Sequence, residues 1–313
     1  MKAYFVPCHM CGSYSAEVLT PAFLADGSLC DFQKIVICTK CGLVYKNPVI
    51  PDLNKLVYCK HSWGDGAIFN KRISELVLYL SDFVKKGSPE KILEIGPGPG
   101  WLAMALQDLL PATKFILLEA SDEVAKVAKY NVPTATVIPA SIDEAYIDNN
   151  IFDLAIVCGV DYLFPNFHNA IISIFNKIKT DGYLYIERNV FVESEAYAWS
   201  PITSYADLFG KNALMTTWFS VDQYKQFLKQ FFDIISEKSF LHDETDGYKC
   251  IIHGFICKKK AKYSEYYDGD ESWYEQNMTS LTRLSKVNST LETKAQAPHQ
   301  GRISKIISFI VNK

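Results

Sequence analysis

Several things are scarce in this sequence. No window approaches the ~18–20 uninterrupted apolar residues that a helix needs to span a bilayer. The N-terminus, "MKAYFVPCHMCG", has no apolar run long enough for a secretory signal. An excess of either charge is also missing: 32 Lys+Arg stand against 35 Asp+Glu, for a net charge of −3. A field so weak favours neither nucleic acid nor an anionic membrane. No internal repeat is visible, and no Gly-Lys-Ser/Thr ending marks a P-loop. What remains is a cytoplasmic protein of 313 residues, 49% hydrophobic and 13% aromatic. That is enough for one large domain with appendages, or for two domains.

Cysteine is not scarce. There are nine, an odd number, and their pattern suits a reducing compartment with a metal site better than a disulfide framework. Four fall in two CxxC pairs, "CHMCG" and "CTKCG": Cys8, Cys11, Cys38 and Cys41. Two such turns can bring four thiolates to the corners of a tetrahedron, which suits structural Zn²⁺. Gly12 and Gly42 follow the second cysteine of each pair, where positive φ lets backbone N–H groups approach sulfur. Four cysteines close such a site, so the expected metal is structural. The rival reading is four unrelated buried thiols. His9, inside the first knuckle, reads as a bystander. Cys30 and Cys59 lie outside the pattern, and Cys158, Cys250 and Cys257 read as core thiols on strands.

The chain then divides. Residues 1–50 are turn-rich and carry the zinc-ribbon pattern, and 51–66 read as a linker. A helical pattern follows in "AIFNKRISELVLYLSDFVKKG", with Gly87 as its stop. From there strands and helices alternate. "KILEIG", "KFILLEA", "TATVIPA", "FDLAIVCG" and "GYLYIERN" are the strands, and Ser121 is a candidate N-cap. This rhythm predicts a doubly wound α/β sheet. The aromatic stretch 190–220 breaks it, as a lid over a site, a packing hairpin or a subunit contact. "FDIISEKSFL" and "YKCIIHGFICKK" leave no room for a crossover helix and should pair antiparallel. The main domain thus spans 67–260. A tail, 261–313, ends in an amphipathic helix with Ile303, Ile306, Ile307, Ile310 and Val311 on one face.

The stretch with most chemistry is "KILEIGPGPGWLAMAL". Gly96, Gly98 and Gly100 link a strand to a helix, where backbone N–H groups gather. The dinucleotide fingerprint, GxGxxG, is not met, because Trp101 stands where its last glycine belongs. Glu94, just ahead of the loop, would repel a pyrophosphate but suits a cationic ligand. Glu119, ending the next strand, can accept both hydroxyls of a ribose. An adenosine ligand with a cationic amino-acid arm fits both acids, and S-adenosylmethionine is such a ligand.

"ILEIGPGPGWLA" resembles the first motif of the class I S-adenosylmethionine-dependent methyltransferases, E/D-x-G-x-G-x-G. "LLEAS" resembles their second-strand acid, "FDLAIVCGVDYL" their fourth strand and "IKTDGYLYIE" their fifth. The segment ending "CTKCGLVYKNP" resembles the zinc-binding piece of a bacterial subgroup that includes sugar-nucleotide C-methyltransferases. The resemblance implies a seven-stranded sheet of order 3-2-1-4-5-7-6, its last strand antiparallel. It implies that Gly96, Gly98 and Gly100 pack on the cofactor, with Glu94 near its methionine end and Glu119 and Ala120 at the ribose. Ala140 and Ser141 stand where many relatives carry an adenine-binding Asp, and Cys158 and Gly159 end the fourth strand beside the cofactor.

Methyl transfer is an in-line displacement that needs alignment and, for an acidic acceptor, a base. Tyr162 and His168 are the catalytic candidates, with Asp161, Glu187, His61, Trp63 and His242 behind them. Glu187 could instead pair with a base from the lid, and His168 could cap a helix. The expected function is methyl transfer to a small acceptor, a carbohydrate or nucleotide-linked sugar. A non-catalytic cofactor-binding or scaffold protein is the first alternative. An RNA methyltransferase is the second, weakened by the few bases of the ribbon: Lys2, Lys34, Lys40 and Lys46.

Overall fold

The computed structural model describes residues 3–24, 27–50, 66–193, 196–197, 200–211, 213–245 and 248–291. The expected linker, save Gly66, and the expected terminal helix of 301–313 lie outside the described residues, as do His61, Trp63 and Trp199.

The chain opens with β1 (Ala16–Phe23), β2 (Leu29–Cys38) and β3 (Val44–Asn47), followed by α1 (Gly66–Gly87). The alternating part is β4 (Lys91–Ile95), α2 (Trp101–Leu109), β5 (Lys114–Leu118), α3 (Asp122–Asn131), β6 (Thr136–Ile138), β7 (Phe152–Val157), α4 (Phe167–Lys177) and β8 (Ile178–Arg188). Short strands β9 (Ala196–Tyr197), β10 (Ser200–Pro201) and β11 (Thr217–Trp218) fill the insertion. Then come α5 (Val221–Phe231), β12 (Phe232–Thr245), β13 (Tyr248–Lys259) and α6 (Glu271–Leu291).

Seven strands form the central sheet in the order β12-β13-β8-β7-β4-β5-β6. Counted within this sheet alone, that is 3-2-1-4-5-7-6. β13 runs antiparallel to both β12 and β8, and the other pairings are parallel. Details differ from the sequence reading. β6 shrinks to three residues, and β8 begins at Ile178, with a register shift against β7 ahead of Tyr183. The inner strands read as unbroken apolar runs because both faces are covered. Leu76, Leu80, Val84, Leu102, Leu106 and Ala128, from α1, α2 and α3, cover one face. Phe167, Ile171, Tyr224 and Phe227, from α4 and α5, cover the other.

Local signals set the helix starts. The Ser121 hydroxyl accepts from Val124 N at 3.4 Å, and Asn166 accepts from Asn169 N at 3.1 Å. Ser220 and Gln223 form a reciprocal capping box at α5.

The ribbon does not stand apart. Cys8, Met10, Cys11, Cys38, Cys41 and Tyr45 share one buried cluster with the residues of α4 and α5. So small a segment cannot bury an adequate core alone. The insertion joins it too. β11 pairs antiparallel with β3, extending the ribbon sheet to the order β1-β2-β3-β11. Val190, Val192, Ile202, Phe209 and Trp218 pack with ribbon residues Ile35, Ile37 and Val44. Of the three readings of 190–220, a lid, a packing hairpin or a subunit contact, the described residues fit packing, because their aromatics cover an apolar ribbon face. α6, read as part of a polar tail, also lies on the ribbon. A Cβ at Gly42 would sit 2.6 Å from the Trp273 backbone, and Asn277 donates to Gly42 O at 2.9 Å. Among the described residues, no helix is long and apolar enough to cross a membrane.

Candidate cofactor and catalytic site

The parallel strands end together at one edge of the sheet, and the glycine loop joins β4 to α2 there. Gly96, Gly98 and Gly100 have φ of 64°, 56° and 83°, a region that L side chains rarely adopt. At Gly96 a Cβ would also meet a Val160 methyl at 2.8 Å.

Two acids flank the loop. The Glu119 carboxylate accepts from Gly98 N at 3.2 Å and from Ser121 N at 2.9 Å, tying the loop to the start of α3. Burial raises its pKa, against those backbone bonds. Glu94 is buried, and its Oε2 has no hydrogen-bond partner among the described residues. Its pKa is pushed up to about 8, chiefly by burial. The Ala103 N–H in the first turn of α2 opposes that shift, and the Glu119 charge adds to it. A buried oxygen without a partner is costly unless something supplies one.

Cys158 and Gly159 end β7 on the same side. The Cys158 thiol donates to Glu187 Oε1 at 3.2 Å, and the Tyr185 hydroxyl donates to Glu187 Oε2 at 2.7 Å. Arg72 of α1 forms an ion pair with Glu187 and reaches over Gly159, where a Cβ would lie 3.0 Å from its Nη2. Glu187 thus takes its base from α1 and not from the insertion. Sequence reading overlooked Arg72. Its signal was a base embedded in the apolar pattern "FNKRISELV".

Ala120 is half-buried beside Glu119. Ala140 and Ser141 follow β6, and Ser141 bonds Glu144 through both its N–H and its hydroxyl. The catalytic candidates have partners of their own. His168 is buried against the ribbon, stacked on Tyr266 at 4.6 Å, with its Nδ1 at 2.9 Å from His9 O. It packs an interface, because α4 turns that face towards the first knuckle. Tyr162 is half-buried against the insertion cluster, and its carbonyl accepts from Thr216 N at 2.9 Å. Asp161 is fully buried in an ion pair with Arg188 at 2.8 Å. His9, read as a bystander, accepts the Phe167 N–H at 3.0 Å at the start of α4.

Of the chain, residues 67–236 match the family model described as a methyltransferase domain. The chain belongs to this methyltransferase-domain family. Solved structures similar to the chain share little sequence with it. One similar structure is the 1,6-didemethyltoxoflavin-N1-methyltransferase of Burkholderia thailandensis, with bound 1,6-didemethyltoxoflavin and S-adenosylhomocysteine. It is 14% identical, with a TM-score of 0.48, over 79% of this chain and 99% of that one. Another is the N-methyltransferase NodS of Bradyrhizobium japonicum WM9 with S-adenosyl-L-homocysteine. It is 14% identical, with a TM-score of 0.47, over 65% of this chain and 96% of that one. No curated protein matches this methyltransferase in sequence.

The second site is the cysteine cluster. The four Sγ atoms lie within 4.8 Å of one another, with Cys8–Cys41 and Cys11–Cys38 at 3.5 Å. A tetrahedron with metal–sulfur bonds of about 2.3 Å has edges of roughly 3.8 Å. The buried donor set therefore fits Zn²⁺ in size and chemistry.

Proposed function

We propose that this methyltransferase moves the methyl group of S-adenosylmethionine to a small acceptor, a carbohydrate or a nucleotide-linked sugar, and that structural zinc holds its ribbon. The observation that carries the reading is the buried Glu94 Oε2, unpartnered among the described residues, beside the positive-φ glycine loop and Glu119. The cofactor, when bound, supplies a methyl group made electrophilic by its sulfonium. Glu94 offers that buried oxygen to the ammonium arm, and Glu119 accepts from the ribose hydroxyls. Gly96, Gly98 and Gly100 allow the backbone to come close, and Ala120, Ala140, Ser141, Cys158 and Gly159 complete the lining. The four-cysteine site holds no open position for chemistry, and its thiols suit a reducing, cytoplasmic setting.

Calorimetry with S-adenosylmethionine and S-adenosylhomocysteine tests the reading. Glu119→Ala should weaken both by about tenfold to a hundredfold, since hydrogen bonds to a charged group are worth about 1.5–3 kcal/mol. No binding of either ligand by the unaltered protein would sink it.

Glu94 adds a pH signature. Its pKa in the folded protein, about 8, lies above the ordinary carboxylate value of 4.5. Below 4.5 the stability contribution is complete, and it falls as pH rises through 8. An ammonium beside Glu94 favours the charged form. Binding between pH 6 and 8 should therefore release a proton, and affinity should rise with pH. Titrations in buffers of different ionisation enthalpy read this directly. Proton release that persists in Glu94→Gln would remove Glu94 from the account.

One observation favours a second reading, a cofactor-binding protein without catalysis. Asp161 and His168 are both spent in packing. Transfer of labelled methyl to a sugar-nucleotide pool would exclude it.

A further inference from the structure

We infer that the ribbon is the positioning element for the turn that closes β7 over the glycine loop, acting through Thr216, Thr217 and Gln223. The turn runs from Cys158 to Asn166. On one side Val160 sits on the loop, close enough that Gly96 has no room for a Cβ. On the other side the turn is clamped by the insertion. Thr216 N donates to Tyr162 O at 2.9 Å, and Thr216 Oγ1 donates to Phe164 O at 2.6 Å. Asp161 Oδ2 accepts from Arg188 Nε at 2.8 Å, and Arg188 Nη2 reaches Thr217 Oγ1 at 3.2 Å.

Both threonines hang from the ribbon. Lys46 N donates to Thr216 O at 2.9 Å, and Thr217 pairs with Tyr45 across β11 and β3. Tyr45 is buried in the same cluster as the four cysteines. A second route starts at the knuckle itself. Gln223 Nε2 donates to Cys41 O at 2.6 Å, and the next residue, Tyr224, donates from its hydroxyl to Asp161 Oδ2 at 2.8 Å.

Two routes thus lead from the ribbon to Asp161, one through the β3–β11 pairing, Thr217 and Arg188, the other through Gln223 and Tyr224. The order of the turn, and of the cofactor-side wall it forms, depends on the ribbon and on the metal in it. The inference rests on the zinc and cofactor readings above, and its test separates from both.

The test is amide hydrogen exchange on the full chain. Thr216→Val removes the hydroxyl clamp and keeps the strand pairing. It should speed exchange in residues 158–166 about tenfold, the size of one lost hydrogen bond. Residues 114–132, which span β5 and α3, should not change, and zinc content should stay as it was. Thr216→Ser should restore protection. Removing zinc with a chelator should give the same local pattern, with residues 33–50 opened as well. Unchanged exchange in 158–166 for Thr216→Val would overturn the relay. So would an equal rise in 114–132, which would mark a global loss. Elemental analysis of the starting protein decides the zinc reading by itself, and calorimetry decides the cofactor reading. Thr216→Val judges the relay whichever way those fall.

Discussion

Arg188→Met is expected to destabilise the protein by about 3–5 kcal/mol, because it leaves one charge of a buried pair without its partner. Arg188 and Asp161 are both fully buried. The guanidinium also lies 4.9–5.0 Å from the ring centres of Phe167, Phe219 and Tyr224, in a cage that methionine can fill but not satisfy. Burial raises the Asp161 pKa, and Arg188 and the Tyr224 hydroxyl oppose it. Without Arg188 that opposition is mostly gone. The sign follows: the folded variant holds the Asp161 proton more tightly than the unfolded chain, so stability falls as pH rises. The loss should be larger at pH 8 than at pH 5. Guanidinium unfolding at both pH values measures it, as a fall in midpoint at constant slope. Adding Asp161→Asn should recover part of the loss, because the orphaned charge disappears. A loss under about 1 kcal/mol, equal at both pH values, would show the pair to be dispensable.

The pair also shows where sequence reading stops. Glycine loop, strand rhythm and caps are local, so spacing and apolar runs revealed them. Ser121 and Ser220 act within a few residues of themselves, while the left-handed residue after α1 is Ser88 rather than the expected Gly87. The place of Glu94 and Glu119 beside the loop was legible because one precedes it by two positions and the other ends the next strand. The partnerships across the chain left no such mark. Arg188 reads as the end of an ordinary strand, and its two anchors lie 27 and 29 positions away. The aromatic insertion could be a cover, a packing hairpin or a subunit contact, since exposed and buried aromatics read alike in a sequence. Its burial became visible only once β3 stood beside β11. His168 was taken for chemistry because it follows a strand end, yet the direction of α4 decides what it faces.

The cysteine cluster gives the other large effect. Cys41→Ser should abolish zinc binding and lower the melting temperature by on the order of 10 °C or more. A serine hydroxyl is a poor replacement for a thiolate, and four-cysteine zinc sites supply folding free energy outright. Here the loss should travel, because the Cys41 carbonyl holds Gln223 and the cysteines belong to the same buried cluster as α4 and α5. Cys257→Ser is the control. That thiol is as fully buried as Cys41 and lies in the same apolar core, but it sits on β13, outside the four-sulfur group. It should cost only the penalty of burying a hydroxyl, about 1–3 kcal/mol. Any difference between the two variants beyond that penalty belongs to the metal. Elemental analysis should find about one zinc per chain in the unaltered protein and in Cys257→Ser, and none in Cys41→Ser. Equal melting temperatures for the two variants, with no metal in either, would mean that packing alone gathers the four sulfurs.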